Sequence, residues 1–374
     1  MTTHPAFANC HSHAFHRALR GRPVGGADFW RWRDGMYAVA DVLDPDLYFG
    51  LARATYAEMA LAGIRAVGEF HYVHHDRGGV RYAEPHAMAE AVIAAAREVG
   101  LKICLLHTCY LRPGFEPVSP ARAQLRFFHT DADGWASAAV DLASRYAHDP
   151  DVVIGAAIHS VRAVDEASLS VVASALPEAP LHVHVSEQPA ENAACLAATG
   201  RTPVQLLSDA GVWTPRATAV HATHLTAADI TTLGAAGSFA CFCPTTEAEL
   251  GDGIGPSVAL RDAGVRITLG SDSQAVIDPF AEARALALHE RLASGTRQGW
   301  STEQLWRAAT TDGAASLGFD DLGSFELVPS VRTAGATDPL WAAGASEIVP
   351  PVDLDPGWVR AELESVIDEV WSRT

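Results

Sequence analysis

The chain has 374 residues, 48% hydrophobic and 19% charged, a composition that suits one large domain or two modest ones. Its 27 Lys and Arg are outnumbered by 45 Asp and Glu, and the formal net charge of −18 argues against a nucleic-acid or anionic-membrane partner. No apolar run approaches the ~20 residues of a membrane span, no secretory signal is visible, and six scattered cysteines do not form a disulfide framework, so we expect a cytoplasmic protein.

Short apolar runs alternate with longer amphipathic stretches along most of the chain. The runs predict eight strands, at 5–11, 64–70, 101–107, 152–158, 181–185, 217–221, 237–242 and 266–270. The stretches predict helices at 46–62, 84–99, 136–147, 165–175, 190–209, 227–235, 256–263 and 278–293. Apolar strands joined by helices indicate a parallel sheet covered on both faces. Eight such units are typical of a (β/α)8 TIM barrel, and a doubly wound open sheet is the alternative.

The C-terminal part follows a different pattern. Two further helices, at 301–309 and 312–318, are predicted to complete the barrel, which we assign to residues 1–320. Beyond them Pro and Gly become frequent, and only a last amphipathic helix at 356–371 is evident. We therefore expect residues 321–374 to form a C-terminal extension.

Polar residues with metal-binding or acid–base chemistry follow almost every predicted strand. They are His11, His13, Glu69, His71, His107, His159, His182, His184, Glu187, His221 and Asp272. Barrel active sites are built at the carboxyl ends of the strands, from several strands at once. Imidazoles and carboxylates that converge at this face are the donor set of a metal-dependent hydrolase.

Two His-x-His pairs have strand geometry for one ion. Residues i and i+2 of a strand point to one face, so His11 and His13 can reach the same metal, and so can His182 and His184. Periodicity alone does not choose between the pairs. Asp272 follows a strand in the segment LGSDS, where a carboxylate can bind metal and accept a proton from water, or can simply cap the next helix.

Several longer motifs point to a known family. They are NCHSHAFHRALRG, FWRWRDGMY, GEFHYVHHD, IHSVRAV, HVHVSEQPAEN, VHATHLT, CPTTEAELGDG and LGSDS, which together run from residue 9 to about 290. With them the sequence resembles the amidohydrolase superfamily, and most of all the formimidoylglutamate deiminase family. This resemblance implies hydrolysis of N-formimino-L-glutamate to N-formyl-L-glutamate and ammonia, a step of histidine degradation.

The resemblance also implies the site. It assigns one zinc ion per chain to His11, His13, His184 and Asp272, with His184 preferred over His182 because the family pattern is His-x-x-Glu. It also makes Glu187, His221 and Asp272 the catalytic residues. The zinc ion would lower the pKa of a bound water toward ~7 and so supply hydroxide near neutral pH. Asp272 would accept a proton, Glu187 would carry one to the leaving nitrogen, and His221 would stabilise developing charge.

A small substrate with two carboxylates requires a positive pocket in this acidic chain. The resemblance indicates five substrate-binding residues, namely His16, Arg33, Tyr72, His159 and Arg162. Arginine suits this role because its planar guanidinium binds a carboxylate bidentately. For Arg33 and Arg162 the alternative is an ordinary surface ion pair.

The sequence departs from the family pattern in several respects. Only ten residues precede His11, so we expect the accessory β-sandwich of most superfamily members to be missing or eroded, with SVRTAGATDPLWAAGASEIVPPV as its remnant. The resemblance implies a homodimer, and a barrel face left uncovered in this way would favour some partner. His16 stands where glutamine also occurs in the family, and Gln274 stands where a histidine often follows SDS, which bears on substrate choice.

Other interpretations remain open. The chain could be an amidohydrolase for another amidine, guanidine or aminoheterocycle, or a catalytically silent scaffold. We expect His74 and His75 to be solvated loop residues and His129 and His148 to lie at surface or helix positions. Cys241 and Cys243 are interpreted as buried small hydrophobes.

Overall fold

Eight parallel strands form the centre of the protein in a computed structural model that describes residues 1–22 and 29–374, with only the backbone at 29–31. The described residues contain ten strands: β1 (Thr2–Pro5), β2 (Phe7–Ser12), β3 (Ile64–His71), β4 (Lys102–Cys109), β5 (Val152–Ile158), β6 (Leu181–Val185), β7 (Ala217–His221), β8 (Phe239–Phe242), β9 (Arg266–Leu269) and β10 (Ser324–Leu327). Strands β2 to β9 pair in sequence order, each parallel to the next.

Hydrogen bonds between the first and last of these strands close the barrel. The amides of Ser271 and Asp272 donate to the carbonyl of His11 at 3.1 and 2.9 Å, and the amide of His13 donates to the carbonyl of Asp272 at 3.2 Å. The predicted (β/α)8 barrel is therefore confirmed, and the open-sheet alternative is wrong. The eight barrel strands lie within two residues of their predicted bounds.

Helices surround the barrel on the outside. They are α1 (Phe29–Val42), α2 (Pro45–Leu61), α3 (Ala87–Glu98), α4 (Ala132–Arg145), α5 (Glu166–Ala175), α6 (Pro189–Thr199), α7 (Pro203–Asp209), α8 (Ala227–Ala235), α9 (Pro244–Leu250), α10 (Ser257–Asp262), α11 (Pro279–Ser294), α12 (Thr302–Ala309), α13 (Thr311–Ser316) and α14 (Pro356–Arg373). Many begin at a side-chain cap: Asp44, for example, accepts the amide of Leu47 at 2.8 Å.

The predicted helix at 190–209 is wrong as a single element. Gly200 adopts a left-handed conformation with φ of 72° and ends α6, and Thr202 and Pro203 then begin α7. Helices α1 and α9 were not predicted, and α9 has only seven residues, too few to show a helical repeat of apolar positions.

In the part of the chain that the structure describes, the C-terminal residues form no β-sandwich. Strand β10 pairs antiparallel with β1 in a two-stranded sheet, and the residues around 328–355 are mostly irregular. Helix α14 packs against α2, so it covers part of the outer face of the barrel. Within the described ranges, no helix combines the length and apolarity that crossing a membrane requires.

Candidate active site

Four predicted metal ligands meet at the carboxyl ends of β2, β6 and β9. The Nε2 atoms of His11 and His13 lie 3.2 and 3.3 Å from Oδ1 of Asp272. Nε2 of His184 lies 3.1 Å from Nε2 of His11. Since the carboxyl ends of the strands share one face of the barrel, donors that are 261 positions apart in sequence (11 and 272) become neighbours.

Backbone carbonyls orient two of these imidazoles. Nδ1 of His13 donates to the carbonyl of Phe70 at 3.0 Å, and Nδ1 of His184 donates to the carbonyl of His159 at 2.9 Å. Each Nε2 is thereby left with its lone pair toward the cluster, the arrangement usual for metal-binding histidines. His182 instead donates through Nε2 to the carbonyl of Ser316 at 3.2 Å.

The protonation states also suit a cation. Burial lowers the pKa of His11, and it lowers the pKa values of His13 and His184 well below the ordinary value, so these rings are neutral as metal ligation requires. Burial alone would raise the pKa of Asp272, but the hydrogen bond from His11 and the neighbouring imidazoles hold it below its usual range. Three neutral imidazoles and one carboxylate therefore fit zinc.

His221 stands between two carboxylates beside this cluster. Its Nδ1 lies 3.4 Å from Oε1 of Glu247, and its Nε2 lies 3.9 Å from Oε1 of Glu187. Burial opposes protonation of His221, but Glu187 and Glu247 outweigh it and raise its pKa well above the ordinary value. Burial in turn raises the pKa of Glu187. The pair can therefore hold and exchange a proton.

A pocket of about 460 Å³ opens above the cluster. Its lining includes every predicted catalytic and substrate-binding residue, namely His16, Arg33, Tyr72, His159, Arg162, Glu187, His221 and Asp272, as well as His13 and His184. His11 lies beneath the lining and is fully buried. The structure thus brings all the predicted site residues together, while their roles stay predictions.

The side of the pocket that carries Arg162 is rich in aromatic and cationic groups. Arg162 interacts with the hydroxyl of Tyr110, and this partner and Glu191 raise its pKa despite burial. The guanidinium of Arg33 lies 5.5 Å from the centre of the Tyr37 ring. Burial raises the pKa of Glu191 to about 7, so near neutrality this carboxyl neutralises Arg162 only in part. This side of the pocket can bind an anion.

Gln274 belongs to a buried network beneath the predicted metal ligands. Its Nε2 donates to Oγ of Ser12 at 2.9 Å and to the carbonyl of Asp272 at 3.1 Å, and its Oε1 accepts Oγ of Ser271 at 2.7 Å. Ser12 donates onward to Glu69 at 2.8 Å. Gln274 therefore supports the backbone of Asp272 and does not line the pocket.

Backbone conformations around the site are unusual. Ser186, His221, Ala222, Asp272 and Gln274 have positive φ between 41° and 68°, and they are the described non-glycine residues with this property. All of them follow or end strands β6, β7 and β9. Such conformations cost free energy and persist where surrounding contacts fix them, as at functional sites.

Several residues of the site were not predicted from the sequence. Glu247 contacts His221, Glu191 accepts the amide of Ser186 at 3.1 Å, and Asp252 bonds Gln188. Glu247, Asp252 and Glu191 lie in the motifs CPTTEAELGDG and SEQPAEN, so the signal was present, but nothing local indicated that these carboxylates turn inward.

Three other histidines are less exposed than predicted. His74 is 5% exposed and donates to the carbonyl of Thr108 at 2.9 Å, and His129 is half-buried in contact with it. His75 is also half-buried, whereas His148 is exposed and Cys241 and Cys243 are buried, as expected. Loop residues 123–129 fold over His74, an effect that the local sequence does not reveal.

Comparison with known proteins identifies the family. A model of the amidohydrolase family matches residues 2–327. Formimidoylglutamate deiminase of Pseudomonas aeruginosa is 35% identical over 329 residues, which cover 84% of this chain and 72% of that protein. A 5-methylthioadenosine/S-adenosylhomocysteine deaminase of Teredinibacter turnerae is 28% identical over 340 residues, covering 86% of this chain and 68% of that protein.

Solved structures have the same fold as this chain. An amidohydrolase from Brucella melitensis superposes with a TM-score of 0.89 at 30% identity, covering 99% of this chain and 90% of that one. A zinc-bound adenosine deaminase from Xanthomonas campestris has a TM-score of 0.84 at 22% identity, covering 99% and 86%, and shows likeness of fold alone. The resemblance expected from the sequence motifs is confirmed: the chain belongs to the amidohydrolase family and is a hydrolase acting on carbon–nitrogen bonds.

Proposed function

We propose that this enzyme converts N-formimino-L-glutamate and water to N-formyl-L-glutamate and ammonia, as a step of histidine degradation. The observation that carries the proposal is the pairing, in one pocket, of Arg162 with the His221–Glu187 pair. The arginine side suits the carboxylates of the substrate, and Glu187 suits its cationic amidine. The 35% identity to a formimidoylglutamate deiminase supports the same substrate.

The proposal includes one zinc ion held by His11, His13, His184 and Asp272. Two groups of close donor atoms that share His11 support this ligand set: one adds His13 and Asp272, and the other adds His184 and His221. The bound zinc of the adenosine deaminase with the same fold supports the choice of metal. Zinc bound there would act as a Lewis acid that activates water at neutral pH.

The protein's own groups would then move the protons. Asp272 accepts a proton from the attacking water as the water oxygen bonds to the formimino carbon. His221, held protonated by its carboxylate neighbours, stabilises the negative charge that develops. Glu187 carries the proton of the new hydroxyl group to the nitrogen, and the carbon–nitrogen bond breaks to release ammonia as the formyl C=O forms. Asp272 returns its proton to solvent.

Binding would be completed by the neighbouring side chains. Arg33 and Arg162 pair with the two carboxylates, and Tyr72 and His159 donate hydrogen bonds. Burial and the charge of Arg162 lower the pKa of His159 well below its ordinary value, so it is a neutral donor. His16 is held by Tyr72, whose hydroxyl lies 3.0 Å from its Nε2.

Ammonia release tests the proposal directly. Purified zinc-loaded enzyme would be assayed with N-formimino-L-glutamate beside N-formimino-L-aspartate, guanidino acids and 5′-methylthioadenosine. We expect release from the glutamate derivative with a kcat/KM at least tenfold above the others. Preferential release from the guanidino acids or the aminoheterocycle would instead support the alternative amidohydrolase functions, and no release would contradict the proposal.

Arg162→Met should separate binding from chemistry. A hydrogen-bonded charge pair contributes about 1.5–3 kcal/mol, so KM for N-formimino-L-glutamate should rise about 10- to 150-fold with a smaller change in kcat. Arg297→Met, at an exposed position, is the control and should leave both unchanged. An unaltered KM in Arg162→Met would show that Arg162 does not bind the carboxylates.

We further propose a cytoplasmic homodimer. The six cysteines are free and buried in the structure, as suits a reducing compartment. Light scattering on the purified protein would test the dimer, and a monomeric mass at micromolar concentration would contradict it.

A further inference from the structure

A second group of histidines surrounds a separate cavity of about 130 Å³. Six of them line it: His71, His74, His75, His86, His107 and His129. They come from the end of β3, the loop after it, β4, and the segment before α4. No residue lines both this cavity and the substrate pocket among the described residues, so the two are distinct.

Three of these imidazoles are close enough to share one ion. His74, His107 and His129 offer ring nitrogens that all lie within 4.8 Å of one another. The centre of the His74 ring is 4.7 Å from that of His107 and 4.5 Å from that of His129. A tetrahedral zinc site requires nitrogens roughly 3.4 Å apart, given bonds of about 2.0–2.1 Å. From a spacing of at most 4.8 Å, the nitrogens would have to move closer by no more than about 1.4 Å.

The hydrogen bonds leave nitrogens free for a ligand. His74 donates through Nε2 to the carbonyl of Thr108 at 2.9 Å, which leaves the Nδ1 lone pair toward the cluster. Nδ1 of His107 and Nδ1 of His129 are buried and have no hydrogen-bond partner in the described part of the chain. Metal-binding histidines often have their other ring nitrogen anchored by a backbone carbonyl, as His74 does. Burying a ring nitrogen without any partner costs free energy, and a bound ion would remove that cost for His107 and His129.

The charges around the cavity are compatible with a cation. Burial and mutual repulsion keep all three rings neutral, as ligation requires. His86 donates to Asp141 at 3.0 Å, so a carboxylate stands behind the cavity. The positive charge of Arg81 at the mouth of the cavity would repel a cation, but this side chain is exposed to solvent and donates to Thr130 at 3.2 Å.

We propose that His74, His107 and His129 bind one divalent transition-metal ion of the zinc class, with water completing the coordination. An all-nitrogen donor set selects zinc, nickel or copper over magnesium and calcium, which prefer oxygen ligands. The ion would join the loop after β3, strand β4 and the segment before α4. The amide of His129 also donates to the carbonyl of Tyr110 at 3.0 Å, so the ion would stiffen one wall of the substrate pocket.

Metal counting tests the proposal. Wild type, His107→Gln and His129→Asn would be saturated with Zn²⁺, dialysed, and analysed by plasma mass spectrometry. His148→Gln, which alters an exposed histidine, is the matched control. We expect each cluster variant to hold one zinc fewer per chain than wild type and the control, with ammonia release within threefold of wild type. The difference between proteins is the readout, so the result does not depend on how much metal the active site holds.

Equal zinc content in wild type and both variants would overturn the proposal. Because His107 is fully enclosed and its variant could unfold, circular dichroism accompanies each count, and half-buried His129 provides the milder change. Anomalous scattering at the zinc edge from wild-type crystals gives an independent check. A peak among the three rings supports the site, and its absence in zinc-soaked crystals contradicts it.

Discussion

Glu187 has a position from which it can transfer a proton without binding metal. Its Oε1 lies 3.9 Å from Nε2 of His221, and it lines the pocket beside the predicted metal ligands. Glu187→Gln keeps the shape of the side chain but removes its proton. We expect kcat for ammonia release to fall by about 10²–10⁴-fold, the usual size of general acid–base catalysis, while zinc content stays unchanged.

Glu178→Gln is the control variant. It changes an exposed carboxylate of the same charge and should leave kcat unaltered. Zinc content would be measured on the same samples. If Glu187→Gln lost zinc, Glu187 would be a ligand and its assignment as a proton carrier would be wrong.

Glu282 should make the stability of the protein depend on pH. Its side chain is buried against Thr245, whose amide donates to Oε2 at 3.1 Å. Burial raises its pKa from 4.5 to about 8. Between these two values the unfolded chain binds fewer protons at this residue than the folded chain does, so the contribution of Glu282 to stability falls as pH rises from about 4.5 to 8.

Glu282→Gln removes this titration while preserving the shape of the side chain. We expect its melting temperature to exceed that of wild type by an amount that grows from pH 5 to pH 8, measured by scanning calorimetry at saturating zinc. Glu303→Gln, at an exposed position, should run parallel to wild type. A constant difference between Glu282→Gln and wild type across this range would contradict the raised pKa.

Among the elements, the contact between β2 and β9 combines barrel closure with the metal cluster. Gly270 lies at this contact, where a Cβ atom would come within 2.8 Å of both Cβ and the carbonyl oxygen of His11 and within 2.9 Å of Sγ of Cys243. Gly270→Ala must therefore push His11 or β9 aside. We expect a loss of about 1–3 kcal/mol in the free energy of unfolding and weaker zinc affinity.

Gly114→Ala is the control for this element, because a Cβ there meets no atom within 4 Å and the residue has negative or extended φ. Denaturant unfolding and zinc competition with a chelator would be measured on both variants. Normal zinc affinity in Gly270→Ala would show that the ligands tolerate movement of the two strands.

The strands and their carboxyl-end residues were predictable because each carries its own local signal. Apolar runs such as 152–158 and 217–221 define buried parallel strands, and a polar residue directly after such a run must lie at one face of the barrel. Elements that depend on distant contacts were not predictable. His74 follows a strand in a polar segment, and it is buried through contacts with distant residues such as Thr108, His107 and His129. Likewise, Glu247 reaches His221 only because α9 turns inward after β8.

At the scale of the whole molecule, the C-terminal extension is joined to the barrel close to the active site. Trp371 donates through Nε1 to the carbonyl of Ala18 at 2.8 Å, five residues after His13. Val359, Leu363, Ile367 and Val370 are buried along α14. We therefore propose that residues 1–320 and 321–374, although distinct in sequence pattern, unfold together.

Ile367→Ala tests this coupling. Truncating a buried isoleucine costs about 2–5 kcal/mol, so the variant should unfold in one transition at a lower denaturant midpoint than wild type, with kcat/KM unchanged below that transition. Glu364→Ala on the same helix removes only an exposed ion pair with Arg360 and should shift stability by less than about 1 kcal/mol. Unfolding would be followed by both far-ultraviolet circular dichroism and ammonia release. If ellipticity were lost in two steps and activity survived the first, α14 would be an independently folded unit, and the barrel would retain its catalytic structure without it.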